Sequence, residues 1–201
     1  MTFTDLMRVR FKGILDPIGA FLNRMGLMPN NMTILGLIGN TVGAVFLALG
    51  NFFLGGIIIL AMGPIDALDG TMARLRGIDG KFGAFVDSVT DRYSELIIFA
   101  GLLYYYYQQN NTLAMMLVYF AAAGSVLVSY IRSRGQSLGW DTKTGILTRF
   151  ERYLILGPSL LLAVFYPLIP IVALGILAVF TNITALQRIV DIRRQAKSSQ
   201  P

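Results

Sequence analysis

The chain has 201 residues, of which 55% are hydrophobic and only 14% are charged, and its mean hydropathy is +0.62. These values exclude an ordinary soluble domain and are typical of a membrane protein with several spans. Cysteine and histidine are both absent, which excludes disulfides, zinc–thiolate sites and histidine bases. The net charge of +6 fits an anionic membrane face or phosphorylated substrates, while the hydrophobicity argues against a nucleic-acid partner.

The first predicted element is an amphipathic helix over residues 1–28. Its apolar residues recur at spacings of three and four, and the basic residues Arg8, Lys12 and Arg24 lie off that face. Gly26 and Pro29 are signals that end it. A helix with this pattern lies on the membrane surface.

Six apolar segments follow along the chain. They cover about residues 33–50, 52–75, 82–107, 112–134, 150–167 and 169–190. Each is long enough to cross a hydrocarbon core of about 30 Å. We therefore expect an all-α integral membrane protein with one domain over 1–201: the interfacial helix, six transmembrane helices bundled over 33–190, and a cytoplasmic tail over 191–201.

Lysine and arginine are distributed unevenly between the two ends of these segments. The turns at 51, 108–111 and 167–170 contain neither, and all seventeen basic residues lie in the opposite loops or the helix ends near them. Because cytoplasmic loops carry an excess of Lys and Arg, we expect a multi-pass protein of the plasma membrane with both termini in the cytoplasm.

Four aspartates lie inside the second and third apolar segments: Asp66, Asp69, Asp87 and Asp91. A carboxylate in hydrocarbon is costly unless it is paired, hydrated or bound to metal. The first two are spaced i,i+3 and the last two i,i+4, so each pair shares one helix face. In a hairpin that turns around Ile78-Asp79-Gly80, the four carboxylates come to similar depths on the cytoplasmic side.

Oxygen ligands alone favour Mg²⁺, Mn²⁺ or Ca²⁺ over zinc. Two such cations would balance four carboxylates, and a pair of cations commonly holds a phosphate or diphosphate. Other readings of the aspartates remain open: an ion pair with Arg74 or Arg92, a cation channel, or a proton-coupled transporter.

Small residues accompany the aspartates. Gly70 directly follows the first pair, Ala73 is one turn further on, and Gly83 precedes the second pair by one turn. Small side chains let a ligand approach the helix backbone closely. They also let two helices pack closely, so helix packing alone is the alternative explanation for these residues. Arg74 can form two hydrogen bonds to a phosphate.

From Asp66 to Asp91 the chain has the pattern D-x2-D-G-x2-A-R-x8-G-x3-D-x3-D. This pattern resembles the signature of the CDP-alcohol phosphatidyltransferases at every specified position. An amphipathic N-terminal helix before six transmembrane helices is similar to that family as well. Its members transfer a phosphatidyl group from a CDP-linked lipid to an alcohol and release CMP.

The resemblance implies roles for the matching residues. Asp66, Asp69 and Asp87 would bind divalent metal, with Mg²⁺ or Mn²⁺ as the ion and two ions in all. Asp91 would be a metal residue too, near the second ion, and would act as the general base toward the acceptor hydroxyl. The resemblance also implies a homodimer and a site for the CDP-lipid, formed by Asn30, Asn31, Met32, Thr33, Gly70, Ala73, Arg74 and Gly80.

Basic residues near the cytoplasmic ends of the last three segments are candidate ligands for an acceptor phosphate: Arg132, Arg134, Arg149, Arg152 and Arg188. Anchoring at the positive side of the membrane is the alternative for each of them. The stretches Ser129–Arg134, Arg149–Arg152 and Gln187-Arg188 resemble the phosphatidylinositol-phosphate synthases. That resemblance implies CDP-diacylglycerol as donor and inositol phosphate as acceptor.

Two further alternatives concern the substrates of such an enzyme. A phosphatidylglycerophosphate synthase would use glycerol 3-phosphate, but the Asp-Pro usual there is replaced by Asp87-Ser88. An archaeal ether lipid is a second possible donor. Outside the enzymes, a cation-coupled membrane transporter is the competing function.

Overall fold

The computed structural model describes residues 3–77 and 80–198, with side chains from Lys12 onwards, and these residues form seven α-helices and no strand. The all-α prediction is therefore confirmed for the described part of the chain. Ile78 and Asp79, the first two residues of the predicted hairpin turn, lie outside it. The helices are α1 (Phe3–Arg24), α2 (Pro29–Ala48), α3 (Phe52–Arg76), α4 (Lys81–Gln108), α5 (Thr112–Ser137), α6 (Arg149–Leu162) and α7 (Ile169–Ser198).

Local signals in the turns set the helix boundaries. The side-chain oxygen of Asn51 accepts a hydrogen bond from the Leu54 N–H at 3.1 Å and so caps α3. Asn111 caps α5 in the same way, with the Ala114 N–H at 3.0 Å. Gly77 ends α3 with a φ of 65°, a left-handed conformation that glycine adopts without steric cost.

Helix α2 lies between α3 and α4, α5 pairs with α7, and α6 packs against both α3 and α7. Although α3 and α4 follow each other in the chain, both pack chiefly against α2. The most deeply buried leucines form the centre of the bundle: Leu47, Leu102, Leu160, Leu174 and Leu177. This arrangement brings the first turns of α2 and α6 to the aspartates of α3.

Four of the described helices, α2, α3, α5 and α7, are long and apolar enough to cross a membrane. Helix α4 has 28 residues but carries the charged residues Asp87, Asp91, Arg92 and Glu95. Helix α6 has only 14 residues. The protein is thus a helical membrane protein, and length and composition identify four of its described helices as candidate spans.

Two helices have ends that differ from those of the predicted apolar segments. The fifth apolar segment was expected to continue to residue 167, but α6 ends at Leu162 and turns follow. Pro167 disfavours a helical conformation at Tyr166, so it sets a limit that the helix could not have passed. Helix α7 extends to Ser198 instead of 190, so most of the predicted tail is helical.

The three turns that lack lysine and arginine meet at one end of the bundle. They line a common cavity of about 640 Å³ with residues from 49–53, 105–111 and 163–171. Asp66 lies about 21 Å along α3 from Phe52, at about 1.5 Å per residue. The aspartates are therefore separated from the uncharged turns by most of the length of α3.

Candidate active site

Three carboxylates from two helices converge. One oxygen from each of Asp66 and Asp69 on α3 and Asp87 on α4 lies within 4.8 Å of the other two. The i,i+3 spacing puts the first two on one face of α3, and α4 brings the third to them. Three carboxylate oxygens this close together suit a hard divalent cation such as Mg²⁺ or Mn²⁺.

Asp69 is held by its surroundings. The Thr33 hydroxyl donates a hydrogen bond to Asp69 Oδ2 at 2.7 Å, and the Gly70 N–H donates to Asp69 Oδ1. Both Thr33 and Asp69 are buried, with 3% and 8% of their surfaces exposed. Thr33 was predicted to lie at the nucleotide, and in the structure it orients one of the clustered carboxylates.

Asp91 lies apart from that cluster and faces arginine. Its Oδ2 is 2.6 Å from Nη1 of Arg149 and 3.1 Å from Nη1 of Arg92. The same Nη1 of Arg149 lies 2.9 Å from Asp66 Oδ2 and therefore connects Asp91 to the cluster. Asp91 Oδ1 is buried and has no hydrogen-bond partner among the described residues, so its capacity to accept a hydrogen bond is unused.

Space is open beside Gly70, one of the residues predicted to bind the CDP-lipid. A Cβ added to Gly70 would meet nothing within 4 Å. Helix packing therefore does not require glycine there, which favours approach by a ligand. A Cβ on Gly83 would have Asn30 Oδ1 as its nearest neighbour at 4.0 Å, so the start of α2 faces the first turn of α4.

The other predicted CDP-lipid residues differ in exposure. Asn31 is exposed, whereas Met32 is buried with Leu68 and Met72 in a small apolar cluster. Arg74 Nη2 donates to the Thr71 hydroxyl at 3.0 Å. Gly80 caps the start of α4, and Ala73 lies on α3 one turn after Gly70.

The five arginines predicted at the acceptor phosphate fall into three environments. Arg149 lies at the carboxylates, as described above. Arg132 Nε donates to Asp141 Oδ1 at 3.3 Å, and Arg134 Nη1 donates to the Ser137 hydroxyl at 3.3 Å, both near the loop between α5 and α6. In Asp141, slight desolvation raises the pKa, but the hydrogen bonds from Arg132 and Gln136 outweigh it and the pKa lies below its ordinary value of 3.8.

Arg152 and Arg188 are buried. Arg152 donates to both oxygens of Glu95, with Nε to Oε1 at 2.8 Å and Nη2 to Oε2 at 3.1 Å. Arg188 donates to two backbone oxygens, that of Val128 at 2.6 Å and that of Thr144 at 3.0 Å. Arg188 is also within electrostatic reach of Arg132 and Arg152, so these three guanidinium groups lie near one another.

Two contributing residues were not assigned from the sequence. Glu95 lies one turn after Asp91 on α4, and in the structure its carboxylate binds Arg152. Tyr153 was not singled out, yet its hydroxyl contacts the backbone of α3. The only signal in the sequence was the i,i+4 spacing of Glu95 from Asp91. The groups that Glu95 and Tyr153 contact lie far from them in the sequence.

The sequence model of the CDP-alcohol phosphatidyltransferase family matches residues 26–187. A phosphatidylinositol phosphate synthase from Streptomyces avermitilis is 38% identical over 203 aligned positions, covering 94% of this chain and 82% of the relative. The crystal structure of Mycobacterium tuberculosis phosphatidylinositol phosphate synthase with CDP-DAG bound has a TM-score of 0.84 and 31% identity, over 89% of this chain and 93% of that one. The same enzyme in complex with manganese and citrate has a TM-score of 0.82 and 30% identity, over 89% and 88%.

Proposed function

The chain belongs to the CDP-alcohol phosphatidyltransferase family, and we propose that it transfers the phosphatidyl group of CDP-diacylglycerol to inositol phosphate with release of CMP. The observation that carries this proposal is the convergence of Asp66, Asp69 and Asp87, with their oxygens within 4.8 Å and Asp91 beside them. The names of the relatives and the CDP-DAG complex of a similar structure support the choice of donor and acceptor.

The donor set fits a divalent cation. Asp66, Asp69 and Asp87 would hold the first ion, and Asp91 would lie next to a second, with Mg²⁺ or Mn²⁺ as the metal. When bound, such ions neutralise the diphosphate and stabilise the charge that develops on the departing CMP. The manganese complex of a similar structure supports this assignment.

Asp91 is the proposed general base. Its unpartnered Oδ1 takes the proton of the acceptor hydroxyl while that hydroxyl oxygen attacks the phosphorus bonded to diacylglycerol. The new oxygen–phosphorus bond forms as the bond from this phosphorus to the bridging oxygen breaks, and CMP leaves with the electron pair. Arg149 and Arg92 hold the other oxygen of Asp91, which keeps Oδ1 directed away from them.

The CDP portion would lie against Asn30, Asn31, Gly70, Arg74 and the small residues near them. The full proposed set is Asn30, Asn31, Met32, Thr33, Gly70, Ala73, Arg74 and Gly80. The open space beside Gly70 supports this location, because a diphosphate needs close approach to the α3 backbone.

The acceptor phosphate would be bound by the arginines on α5, α6 and α7. The proposed set is Arg132, Arg134, Arg149, Arg152 and Arg188. The proximity of Arg188 to Arg132 and Arg152 supports this set, because like charges gathered at one place favour an anion there. Arg149 would connect this phosphate site to the carboxylates.

We also propose how the protein lies in the plasma membrane. Helices α4 and α6 would be spans in addition to the four apolar ones, and α1 would lie at the interface, where Ile14, Phe21 and Met25 are exposed. The basic ends of the helices and both termini would face the cytoplasm. A homodimer is proposed from the family alone.

The test is an acceptor panel with purified protein, CDP-diacylglycerol and Mg²⁺ or Mn²⁺. Inositol phosphate, glycerol 3-phosphate, serine and free inositol would each be scored by CMP release. We expect inositol phosphate to support the fastest release and a chelator to abolish it. Faster release with glycerol 3-phosphate would contradict the acceptor, and solute flux into sealed vesicles without CMP formation would instead support a transporter.

A further inference from the structure

Helices α3 and α6 pack antiparallel, and their contacts advance by about one turn at a time toward the carboxylates. From the uncharged end, the contacting pairs are Gly56 with Leu160, Leu60 with Gly157, Gly63 with Tyr153, and Asp66 with Arg149. The ion pair at the candidate active site is therefore the last step of a continuous interface.

Tyr153 makes a polar contact in this interface, one turn before the ion pair. The Gly63 N–H donates a hydrogen bond to the Tyr153 oxygen at 3.0 Å, and the Tyr153 hydroxyl donates to the carbonyl of Ile59. Ile59 and Gly63 are four residues apart and would bond each other in a regular helix. The next residue, Pro64, has no N–H to donate to Leu60, so Tyr153 hydrogen-bonds the α3 backbone beside a gap in its hydrogen-bond ladder.

The fit around Tyr153 leaves little space for sliding. A Cβ on Gly63 would lie 2.9 Å from the Tyr153 ring, and a Cβ on Gly157 would lie 2.3 Å from Leu60 Cδ2. Both contacts are closer than packed side chains normally allow. Glycine at these positions lets α6 approach α3 in this one register.

Arg149 is placed by that register. It lies four residues before Tyr153, so the two side chains share a face of α6. Neighbouring Arg152 binds Glu95 and fastens the same turn of α6 to α4. With α6 held in this way, Arg149 Nη1 reaches Asp66 Oδ2 at 2.9 Å and Asp91 Oδ2 at 2.6 Å.

We propose that Tyr153 is a positioning residue, whose hydroxyl fixes α6 in register with α3 and thereby holds Arg149 against Asp66 and Asp91. Its relevance to catalysis depends on the proposed function, because Asp91 acts there as the base. Tyr153 itself does not contact the reacting groups. If it served only for packing, its hydroxyl could be removed without a specific effect on Arg149.

The first test measures geometry without any reaction. Because the chain has no cysteine, spin labels can be attached only at cysteines introduced for Leu75 on α3 and Leu162 on α6, which are 48% and 46% exposed. In lipid nanodiscs, Tyr153→Phe and Gly63→Ala should shift or broaden the distance distribution between the labels. Tyr166→Phe, in the exposed turn after α6, is the matched control and should leave it unchanged. Distributions for both test variants that superimpose on the parent would overturn the proposal.

The second test is a double-mutant cycle on CMP release with the best acceptor. Tyr153→Phe should lower kcat about threefold to tenfold, as expected for lost hydrogen bonds, with an unchanged unfolding midpoint. In an Arg149→Gln background the same change should have less than about a twofold effect, because the residues act through one contact. Independent, multiplicative effects would contradict the proposal. If no acceptor supports CMP release, the proposed function fails while the distance measurement still decides the role of Tyr153.

Discussion

The four aspartates of the motif have two kinds of neighbour. The carboxylates of Asp66, Asp69 and Asp87 lie close together and repel each other. A bound cation would offset the free-energy cost of that repulsion. Asp91 is paired with both Arg149 and Arg92, and Asp66 also shares an ion pair with Arg149. This difference separates a role in metal binding from a role in proton transfer, and the separation can be measured.

We expect Asp91→Asn to lower kcat for CMP release by about 10²-fold to 10⁴-fold, the usual contribution of a general base. Its affinity for the first Mn²⁺ ion, measured by electron paramagnetic resonance, should remain within about threefold of the parent, because the three clustered carboxylates are intact. Asp69→Asn removes a ligand and should weaken Mn²⁺ binding by at least about tenfold.

Asp16→Asn is the matched control, since Asp16 lies on α1 outside the carboxylate cluster, and it should change neither quantity. Equal losses of Mn²⁺ affinity in Asp91→Asn and Asp69→Asn would contradict the division of roles between the two kinds of aspartate.

At the scale of residues, the sequence predicted those contacts that spacing along one helix determines. The pairs Asp66 and Asp69, and Asp87 and Asp91, needed only helical geometry and the position of a turn. The partner of Arg152 could not be found in this way, because Glu95 is 57 residues away and their contact depends on how α6 packs against α4.

At the scale of elements, the approach of α2 to α4 decides how the aspartates of α4 reach those of α3. At the crossing, a Cβ on Gly101 would lie 2.4 Å from the carbonyl oxygen of Ala44. The obstacle is backbone, which cannot rotate away as a side chain could, so the two helices touch directly at this point.

Gly101→Ala should therefore force α2 and α4 apart and lower the free energy of unfolding by about 1–3 kcal/mol, the usual cost of overpacking. Unfolding by a denaturing detergent in mixed micelles is the measurement. Gly175→Ala on α7 is the control: its nearest neighbour would be Leu117 Cδ1 at 4.0 Å. There the higher helix propensity of alanine predicts equal or greater stability. If Gly175→Ala lowered the free energy of unfolding and Gly101→Ala lowered it less, the α2–α4 crossing would tolerate the methyl group.

Helix boundaries were predictable where a turn carries its own signal. Asn51 and Asn111 cap the helices that follow them, and both lie in turns that the sequence identified. The early end of α6 was missed because residues 163–166 are apolar and continue the hydrophobic pattern. The insertion of Tyr153 into α3 depends on a neighbouring helix and has no local sequence pattern.

At the scale of the whole molecule, charge divides the bundle into two ends. One end has three turns without lysine or arginine around a common cavity. The arginines of the candidate site lie near the other helix ends, with the two carboxylates of α3 about 21 Å and about 26 Å from Phe52 along the helix at about 1.5 Å per residue. Because basic segments are retained on the cytoplasmic side during insertion, this division predicts the orientation of the protein.

The orientation can be tested with single cysteines, since the parent chain contains none. Gln109→Cys places a thiol at an exposed position in an uncharged turn, and Ser198→Cys places one at the exposed end of α7. A membrane-impermeant maleimide should label the Gln109 variant in right-side-out vesicles and the Ser198 variant only after the membrane is opened. The cysteine-free parent should remain unlabelled throughout, and both variants should react fully in detergent. Labelling of the Ser198 variant in sealed vesicles as fast as the Gln109 variant would contradict a cytoplasmic C-terminus and, with it, a site that draws its acceptor from the cytoplasm.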